Sequence, residues 1–420
     1  MRIRLKSTYE NFSILEEAAF FLYFLIEVNI ELFAYRALYI FSVVFLTFAL
    51  LFSGKAAIRI TKYTVWTACW AILVAFSLSY TISKSSTTLA LLTILARALV
   101  FFAIGARVRN ERLLENMLKI LVAVEFFNIL YILSRINILS GIQRIGRFSI
   151  ESDSDNTWNS NGIASDLALC IMCLLALIRN HAVKHRTVAY LLVILFVPVG
   201  ILCGSRMGLL LIVGPPLLWV FLTADRKTVV WKYGAIILAA VAAYFIVFKI
   251  PVVYNILGVR VERLLFRLQG RDVVDKSINE RSSLVVYGMA WFKQKPILGY
   301  GMFSFRAMIA GVLNGRSIYA HNNYVETLFG TGIVGFVCYY WLYAYLLFKS
   351  FNNRKRYRHW AIVTAGIIVI IIAEFATVSF KKFAFQFAVF LLFLVMTFDY
   401  QEYFAGLEQK PAAAGGSNIP

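Results

Sequence analysis

Long apolar runs alternate with short polar segments along most of the chain. A helix that crosses a bilayer needs about 20 mostly apolar residues, so the pattern predicts an all-α, polytopic integral membrane protein with about 12 transmembrane helices. The first run is interrupted by Glu16, Glu17 and Glu27, and we predict an uncleaved first span there. The helices are expected near residues 13–31, 36–53, 63–82, 86–105, 116–135, 162–178, 187–203, 206–223, 231–249, 323–348, 360–379 and 383–400.

Two polar interruptions are longer than the rest, near residues 136–161 and 250–322. The second separates a first membrane part, residues 1–249, from a second membrane part, residues 323–400. The remaining tail, residues 401–420, ends in small, polar and Pro/Gly-rich positions, which predicts a flexible segment.

Composition and charge support this organisation. The chain is 60% hydrophobic and 15% charged, with a mean hydropathy of +0.74, whereas soluble domains have roughly 25% charged residues. Its net charge of +20 would suggest a nucleic-acid partner in a soluble protein, but the basic residues concentrate in alternate segments between the predicted helices. This positive-inside pattern orients membrane proteins. It predicts both termini in the cytoplasm, both longer loops on the outer face, and no nucleic-acid partner.

Two helices are predicted within the large loop at 250–322. Residues 252–269 place leucines at helical spacing beside a basic stripe, which predicts an amphipathic helix on the outer leaflet. Binding of lipid phosphates and simple anchoring both fit this helix. A second helix is expected near residues 280–292 with Arg281 in its first turn, where the helix dipole disfavours a cation and a specific partner is plausible. The basic stripe consists of Arg260, Arg263, Arg267 and Arg271.

Arg206 lies in the turn between the seventh and eighth predicted helices, flanked by Gly204 and Gly208. An arginine at the end of a span can extend its guanidinium to the membrane surface, which is the structural interpretation. The functional interpretation is anion binding, because guanidinium stays charged and binds phosphate through two hydrogen bonds.

His321 ends the large loop and stands at the start of the tenth predicted helix. Asn322 and Asn323 can cap that helix, and the glycines at residues 330–335 predict close helix packing. A histidine at a helix start beside a polar loop is suited to proton transfer. A lone histidine is more often structural, so its neighbours carry the functional interpretation.

Two other patterns resemble functional motifs but lack their context. Asp153 and Asp155 resemble the acidic metal-binding pair of nucleotide-sugar transferases, but they lie in a Ser/Asn-rich segment that favours a solvated loop. Gly299 and Gly301 are not a dinucleotide fingerprint, because no βαβ unit surrounds them. They indicate instead a place where the backbone approaches a ligand closely.

Arg97 and Glu125 fall near mid-depth of consecutive predicted spans. Charged residues inside a membrane usually pair with one another. We therefore predict a structural ion pair between them.

The polar motifs between residues 146 and 335 resemble, in order, those of the O-antigen ligase and polysaccharide polymerase superfamily of bacterial membrane glycosyltransferases. Its signature is a histidine followed by Asn, Ser or Gln, nine variable residues and GxxG, and His321, Asn322, Gly332 and Gly335 fit it without a gap. A GR…NxN…A segment, an SRxG turn and an R…W…PxxGxG…F segment also match. Their residues are Gly146, Arg147, Asn159, Asn161 and Ala164; Ser205, Arg206 and Gly208; and Arg281, Trp291, Pro296, Gly299, Gly301 and Phe305.

The resemblance implies a GT-C-like fold and a glycan donor carried on undecaprenyl pyrophosphate at the outer face of the bacterial cytoplasmic membrane. Because pyrophosphate is already an activated leaving group, no cofactor is expected, and no metal site is evident. Arg206 and Arg281 would stabilise charge developing on the leaving group, and His321 would act as general base or only position substrate. The resemblance also implies substrate-binding roles for Arg147, Asn161, Asn322, Gly299 and Gly301.

The acceptor stays open. Its hydroxyl belongs to another glycan in a polymerase, to a lipid A core in a ligase, or to a protein in an O-oligosaccharyltransferase. Polymerase is slightly favoured, because nothing in the sequence marks a lipid A partner. A lipid-linked glycan flippase is the alternative from another class, but it would show repeat symmetry with broken helices. Expected partners are the donor, the acceptor, membrane lipids, and chain-length regulators or flippases.

Overall fold

The computed structural model describes residues 11–28, 36–134, 160–179, 182, 186–223, 228–271, 276–357 and 359–408, and within them the secondary structure is helical without strands. The helices are α1 (Ile14–Val28), α2 (Arg36–Leu51), α3 (Lys62–Ser77), α4 (Lys84–Arg107), α5 (Glu111–Ser134), α6 (Ser160–Arg179), α7 (Arg186–Leu202), α8 (Arg206–Leu222), α9 (Val229–Lys249), α10 (Pro251–Val253), α11 (Val259–Leu268), α12 (Lys276–Gln294), α13 (Ser304–Val312), α14 (Asn323–Asn353), α15 (Trp360–Ala373) and α16 (Phe383–Glu408). A π-helical turn, Tyr254–Gly258, joins α10 to α11, and a 3-10 turn, Ser379–Lys381, precedes α16.

The predicted apolar runs coincide with helices α1–α9 and α14–α16. Five described helices, α4, α5, α6, α9 and α14, are long and apolar enough to cross a membrane. Shorter apolar helices of 10–17 residues accompany them. The chain is thus an all-helical membrane protein over its described residues, and the number of twelve spans stays a prediction.

Aromatic side chains fill the region where α3, α14 and α16 meet. Trp66 of α3 is buried, and its Nε1 donates a hydrogen bond to the Tyr339 carbonyl oxygen of α14 at 2.7 Å. Tyr63 packs edge-on against Phe390 of α16, with ring centroids 5.0 Å apart. Tilted and edge-to-face pairs are the arrangements that aromatic rings prefer. The middle of α14, the helix that begins just after His321, is therefore fixed against α3.

The predicted ion pair between Arg97 and Glu125 is wrong. Arg97 pairs instead with the buried carboxylate of Glu27 in α1, and its Nη1 donates to the Lys381 carbonyl oxygen at 2.8 Å. Glu125 accepts a hydrogen bond from Asn128 of its own helix at 3.3 Å. The cause is helix packing, because the Arg97 side chain of α4 reaches Glu27 of α1, whereas α5 packs against α1 and α6.

A second buried ion pair, between Arg107 and Glu16 at 2.5 Å, also joins α4 to α1. Two of the glutamates that interrupt the first apolar run, Glu16 and Glu27, are thus partners of arginines on α4. Removing one partner of a buried pair typically costs about 3–5 kcal/mol. These pairs therefore fix α1 within the bundle.

The long helix α14 is broken at Gly332, where φ is 63° and ψ is −164°. The segment at residues 296–301 docks into this break, and the Ile333 N–H donates a hydrogen bond to the Pro296 carbonyl oxygen at 2.8 Å. A Cβ at Gly332 would lie 2.1 Å from the Ile297 carbonyl oxygen. The close packing predicted for these glycines is therefore contact of backbone with backbone, which a side chain would prevent.

The large loop of the sequence is mostly helical. The stretch from α10 through α11 lies where the sequence predicts the amphipathic helix. The helix expected at 280–292 already includes Lys276, since no Gly or Pro interrupts residues 276–280, so Arg281 lies in its second turn and the helix-dipole argument does not apply. At the other end of the chain, α16 continues to Glu408 within the predicted tail, and residues 409–420 lie outside the described part.

Candidate active site

His321 and Arg281 are held by the same turn, the one that follows α15. The N–H of Asn323, two residues after His321, donates a hydrogen bond to the Glu374 carbonyl oxygen at 2.9 Å. Arg281 Nη1 donates to the Ala376 carbonyl oxygen at 3.3 Å. The turn after α15 therefore brings these two predicted catalytic residues to one end of the helical bundle.

Arg206 lies at this same end. Arg179, at the last turn of α6, lines a cavity with His359, which precedes α15. Near the other ends of these helices, Ser165 of α6 and Ile370 of α15 line a second cavity, so the two helices run in opposite directions. Gly208 packs closely against Ala164 in the first turns of α6, with no room for a Cβ. The turn containing Arg206 is thus fixed at the end of the bundle that carries His321.

The backbone of His321 is strained. Its φ is +54°, in the left-handed region that residues other than glycine rarely occupy. The imidazole ring lies against the Tyr319 ring, with centroids 4.0 Å apart. The Asn322 side chain accepts a hydrogen bond from the Val325 N–H at 3.1 Å, which confirms that Asn322 caps the helix. Such strain costs roughly 1–3 kcal/mol and is often found at functional sites.

His321 is electrically neutral at physiological pH. Burial, together with the positive charges of Arg281, Lys382, Arg306 and Arg316, lowers its pKa to about 3. A neutral imidazole keeps one ring nitrogen able to accept a proton. The cations around it make the site favourable for an anion. The sequence does not predict three of these cations as site residues, because none belongs to a recognised motif. They are Lys382, Arg306 and Arg316.

A buried polar network lies beside the strained segment. The fully buried Glu374 carboxylate accepts hydrogen bonds from the hydroxyls of Tyr340, at 2.6 Å, and Ser379. Asn323 joins the network, because its Nδ2 donates to the Tyr340 hydroxyl at 2.9 Å and its Oδ1 accepts from the Ser379 N–H at 2.9 Å. A satisfied buried network of this kind makes its surroundings rigid. It fixes the start of α14 against the turn that also binds Arg281.

Arg206 contacts Arg260, which from sequence belongs only to the basic stripe of the amphipathic helix. Arg206 Nη1 donates to the Arg260 carbonyl oxygen at 3.4 Å, and Arg260 Nη1 donates to the Gly204 carbonyl oxygen at 2.9 Å. Ser205 caps α8 and donates to Asn161 Oδ1 at 2.8 Å. The structure therefore gathers Asn161, Arg206 and Arg260, although only the first two lie in recognised motifs.

Gly299 and Gly301 lie in the segment that packs against the first half of α14. Both have positive φ, at 69° and 88°. A Cβ at Gly299 would lie 2.3 Å from the Phe329 carbonyl oxygen, and one at Gly301 would lie 2.4 Å from the Thr81 Cα. Protein backbone thus occupies the space beside both glycines, and their substrate-binding role stays a prediction.

Arg147, a predicted substrate-binding residue, lies outside the described residues. So does the segment with Asp153 and Asp155, for which the sequence favours a solvated loop. Within the described part, no group of three or more His, Cys, Asp or Glu side chains could hold a metal ion.

Comparison with known proteins finds a family similar to the segment that contains most of these residues. Residues 190–340 match the family model described as O-antigen ligase (Wzy_C). The matched segment contains Arg206, Arg260, Arg281 and His321, together with the glycine break of α14. No curated protein matches the chain. The match covers less than half of the chain, and over this segment the sequence is similar to the O-antigen ligase family, which supports the O-antigen ligase and polysaccharide polymerase superfamily.

Proposed function

We propose that this glycosyltransferase moves a glycan from undecaprenyl pyrophosphate to an acceptor hydroxyl at the outer face of the bacterial cytoplasmic membrane. The observation that carries the proposal is a neutral histidine surrounded by cations at one end of a membrane bundle. The histidine can take a proton from an alcohol, and the cations can bind a pyrophosphate.

In the proposed step, the acceptor oxygen attacks the anomeric carbon of the donor sugar. The new C–O bond forms as the bond to the pyrophosphate oxygen breaks, and the electron pair of that bond leaves with the pyrophosphate. The acceptor proton passes to a ring nitrogen of His321. Arg206 and Arg281 stabilise the charge that develops on the leaving group, with Arg147 as a further predicted contact.

The order of binding matters for the basicity of His321. With a pKa of about 3, the imidazole is a weak base while the site is empty. A bound pyrophosphate would offset the positive charges of Arg281 and its neighbours, and this raises the pKa of the imidazole. His321 thus becomes a stronger base only when the donor is in place, which limits unproductive chemistry in the empty enzyme.

Arginine side chains supply the positive charge in this proposal, so the reaction needs no metal ion or cofactor. A guanidinium binds phosphate oxygens through two parallel hydrogen bonds. The assay should therefore proceed unchanged after treatment with EDTA. Loss of transfer on chelation, restored by a divalent cation, would contradict this part of the proposal.

Product analysis tests the function directly. The protein would be reconstituted in liposomes with a lipid-linked repeat unit, with and without lipid A core, and the products separated by gel electrophoresis. A ladder from the repeat unit alone establishes a polymerase, and product that requires the core establishes a ligase. If neither product forms with a verified donor, the proposed transfer is wrong for both acceptors.

A further inference from the structure

A cavity at the opposite end of the bundle from His321 is not used by the proposed reaction. It has a volume of about 380 Å³ and lies between the start of α3, the end of α4 and the second half of α16. The Thr81 hydroxyl, before α4, donates a hydrogen bond to the Met302 carbonyl oxygen at 2.9 Å, and the next residue, Phe303, packs against Phe380 after α15 with ring centroids 5.7 Å apart. The far end of α4, which borders the cavity, therefore lies away from the candidate active site.

Two arginines line the mouth of this cavity. Arg59 precedes α3 and Arg109 follows α4, and both side chains are exposed. Arg109 Nε donates to the Ala106 carbonyl oxygen at 3.1 Å, which holds its guanidinium in place. Among the described residues, the structure shows no hydrogen bond from its Nη atoms or from Arg59. No described lining residue is acidic, so the mouth is positively charged.

The interior of the cavity is mainly aromatic and aliphatic. Phe102, Phe390 and Phe393 line it together with Leu394. Gly105 of α4 leaves space here, since a Cβ at this position would only touch the Phe390 ring at 3.9 Å. Thr61, Thr64 and Thr397 also line the cavity, but the larger part of its lining is apolar and leaves room for a hydrocarbon chain.

We propose that this cavity binds an anionic phospholipid of the membrane leaflet at this end of the bundle. Arg59 and Arg109 would bind the phosphate, and the aromatic interior would take the first part of an acyl chain. Basic pockets between transmembrane helices are suited to lipid head groups. The occupant is a lipid and not free phosphate, because the greater part of the lining is apolar and a small hydrated anion would leave it empty. The site is independent of the proposed transfer reaction.

The test is a titration of the delipidated full-length protein in detergent with dioleoyl phosphatidylglycerol, with bound lipid counted by native mass spectrometry. Replacing both arginines, in Arg59→Ala/Arg109→Ala, should weaken binding about 30-fold, as expected for two cations near an anionic headgroup. Gly105→Leu should weaken binding as well, because the new side chain fills the cavity. Both variants keep the active-site residues, so transfer activity should persist and will show that they are folded.

A control variant tests whether the loss of binding depends on where the two charges lie. Arg354→Ala/Arg356→Ala removes two positive charges near the end of α14, outside the cavity lining, and should bind the lipid like the wild type. Equal binding by the Arg59/Arg109 variant and the wild type would overturn the proposal. So would equal binding of dioleoyl phosphatidylcholine, or full displacement of the lipid by millimolar inorganic phosphate.

Discussion

At the scale of single residues, His321 combines a strained backbone with a lowered pKa. Its left-handed φ of +54° is held by the cap at Asn322 and by the neighbouring Tyr319 ring. The strain fixes the direction in which the imidazole leaves the chain, and the surrounding cations keep it neutral. The site thus presents an aimed proton acceptor beside positive charge before any substrate binds.

The pH dependence of transfer should reflect this environment. A histidine whose pKa is lowered to about 3 stays neutral as the pH falls, whereas an ordinary histidine is protonated below about 6.5. We therefore expect protonation of His321 to cause no loss of kcat/KM between pH 5 and 7. The loss of kcat on acidification should occur at a higher pH than any loss of kcat/KM, because bound pyrophosphate raises the pKa of the imidazole. A loss of kcat/KM with an apparent pKa near 6.5 would contradict the lowered value.

Arg260 and Arg263 form a matched pair of arginines on α11. Arg260 contacts the turn of Arg206, whereas the Arg263 side chain is exposed. Arg260→Ala should lower the transfer rate about tenfold or more through misplacement of Arg206, for which removal of the full charge would cost about 10²–10³-fold. Arg263→Ala should change the rate less than twofold. Equal effects of the two substitutions in a liposome transfer assay would remove Arg260 from the site.

At the scale of elements, the break in α14 explains why the sequence motif ends in two glycines. The segment at residues 296–301, which contains Gly299 and Gly301, packs against the break at Gly332. It thereby contacts the helix that follows His321. From sequence, the glycine spacing predicts close packing but not its partner. The partner is a loop about thirty residues earlier in the chain, which no local pattern reveals.

Substitution of Gly332 should therefore be costly. Gly332→Ala would place a Cβ 2.1 Å from the Ile297 carbonyl oxygen at a positive φ, so we expect a clear fall in thermal stability and loss of transfer. Gly234→Ala is the control, because a Cβ there meets nothing within 4 Å and alanine favours the helix by about 0.5–1 kcal/mol. A melting temperature for Gly332→Ala equal to that of the wild type would contradict the docking of this loop.

At the scale of the whole molecule, apolar length predicts where the helices lie but not which helices touch. The described helices match the predicted runs because hydrophobicity acts locally along the chain. The partner of Arg97 depends on side-chain ion pairs between α1 and α4, which the order of spans does not show. For the same reason Arg281 and His321 are recognised from motifs, whereas Glu374 is not, although its network holds the start of α14.

The Arg97–Glu27 pair can be tested by a double-mutant cycle on thermal stability. Single substitutions by Ala should destabilise the protein by about 3–5 kcal/mol, since each leaves a buried charge without its partner. The double variant should lose much less than the sum. The Arg97/Glu125 cycle is the control and should be additive, as the structure joins Arg97 to Glu27 and Glu125 to Asn128. A non-additive Arg97/Glu125 cycle would instead favour the pair predicted from sequence.

The most direct measurement of the central claim compares donor binding and single-turnover transfer in the wild type and in His321→Asn. Asparagine tolerates the left-handed backbone of this position, so the variant removes the proton acceptor while keeping the fold. His359→Asn, at the opposite end of the bundle, is the control. The account predicts that His321→Asn binds the undecaprenyl pyrophosphate-linked glycan with near-normal affinity but transfers it at least about 10²-fold more slowly. Transfer by His321→Asn at close to the wild-type rate would show that this histidine is not the proton acceptor.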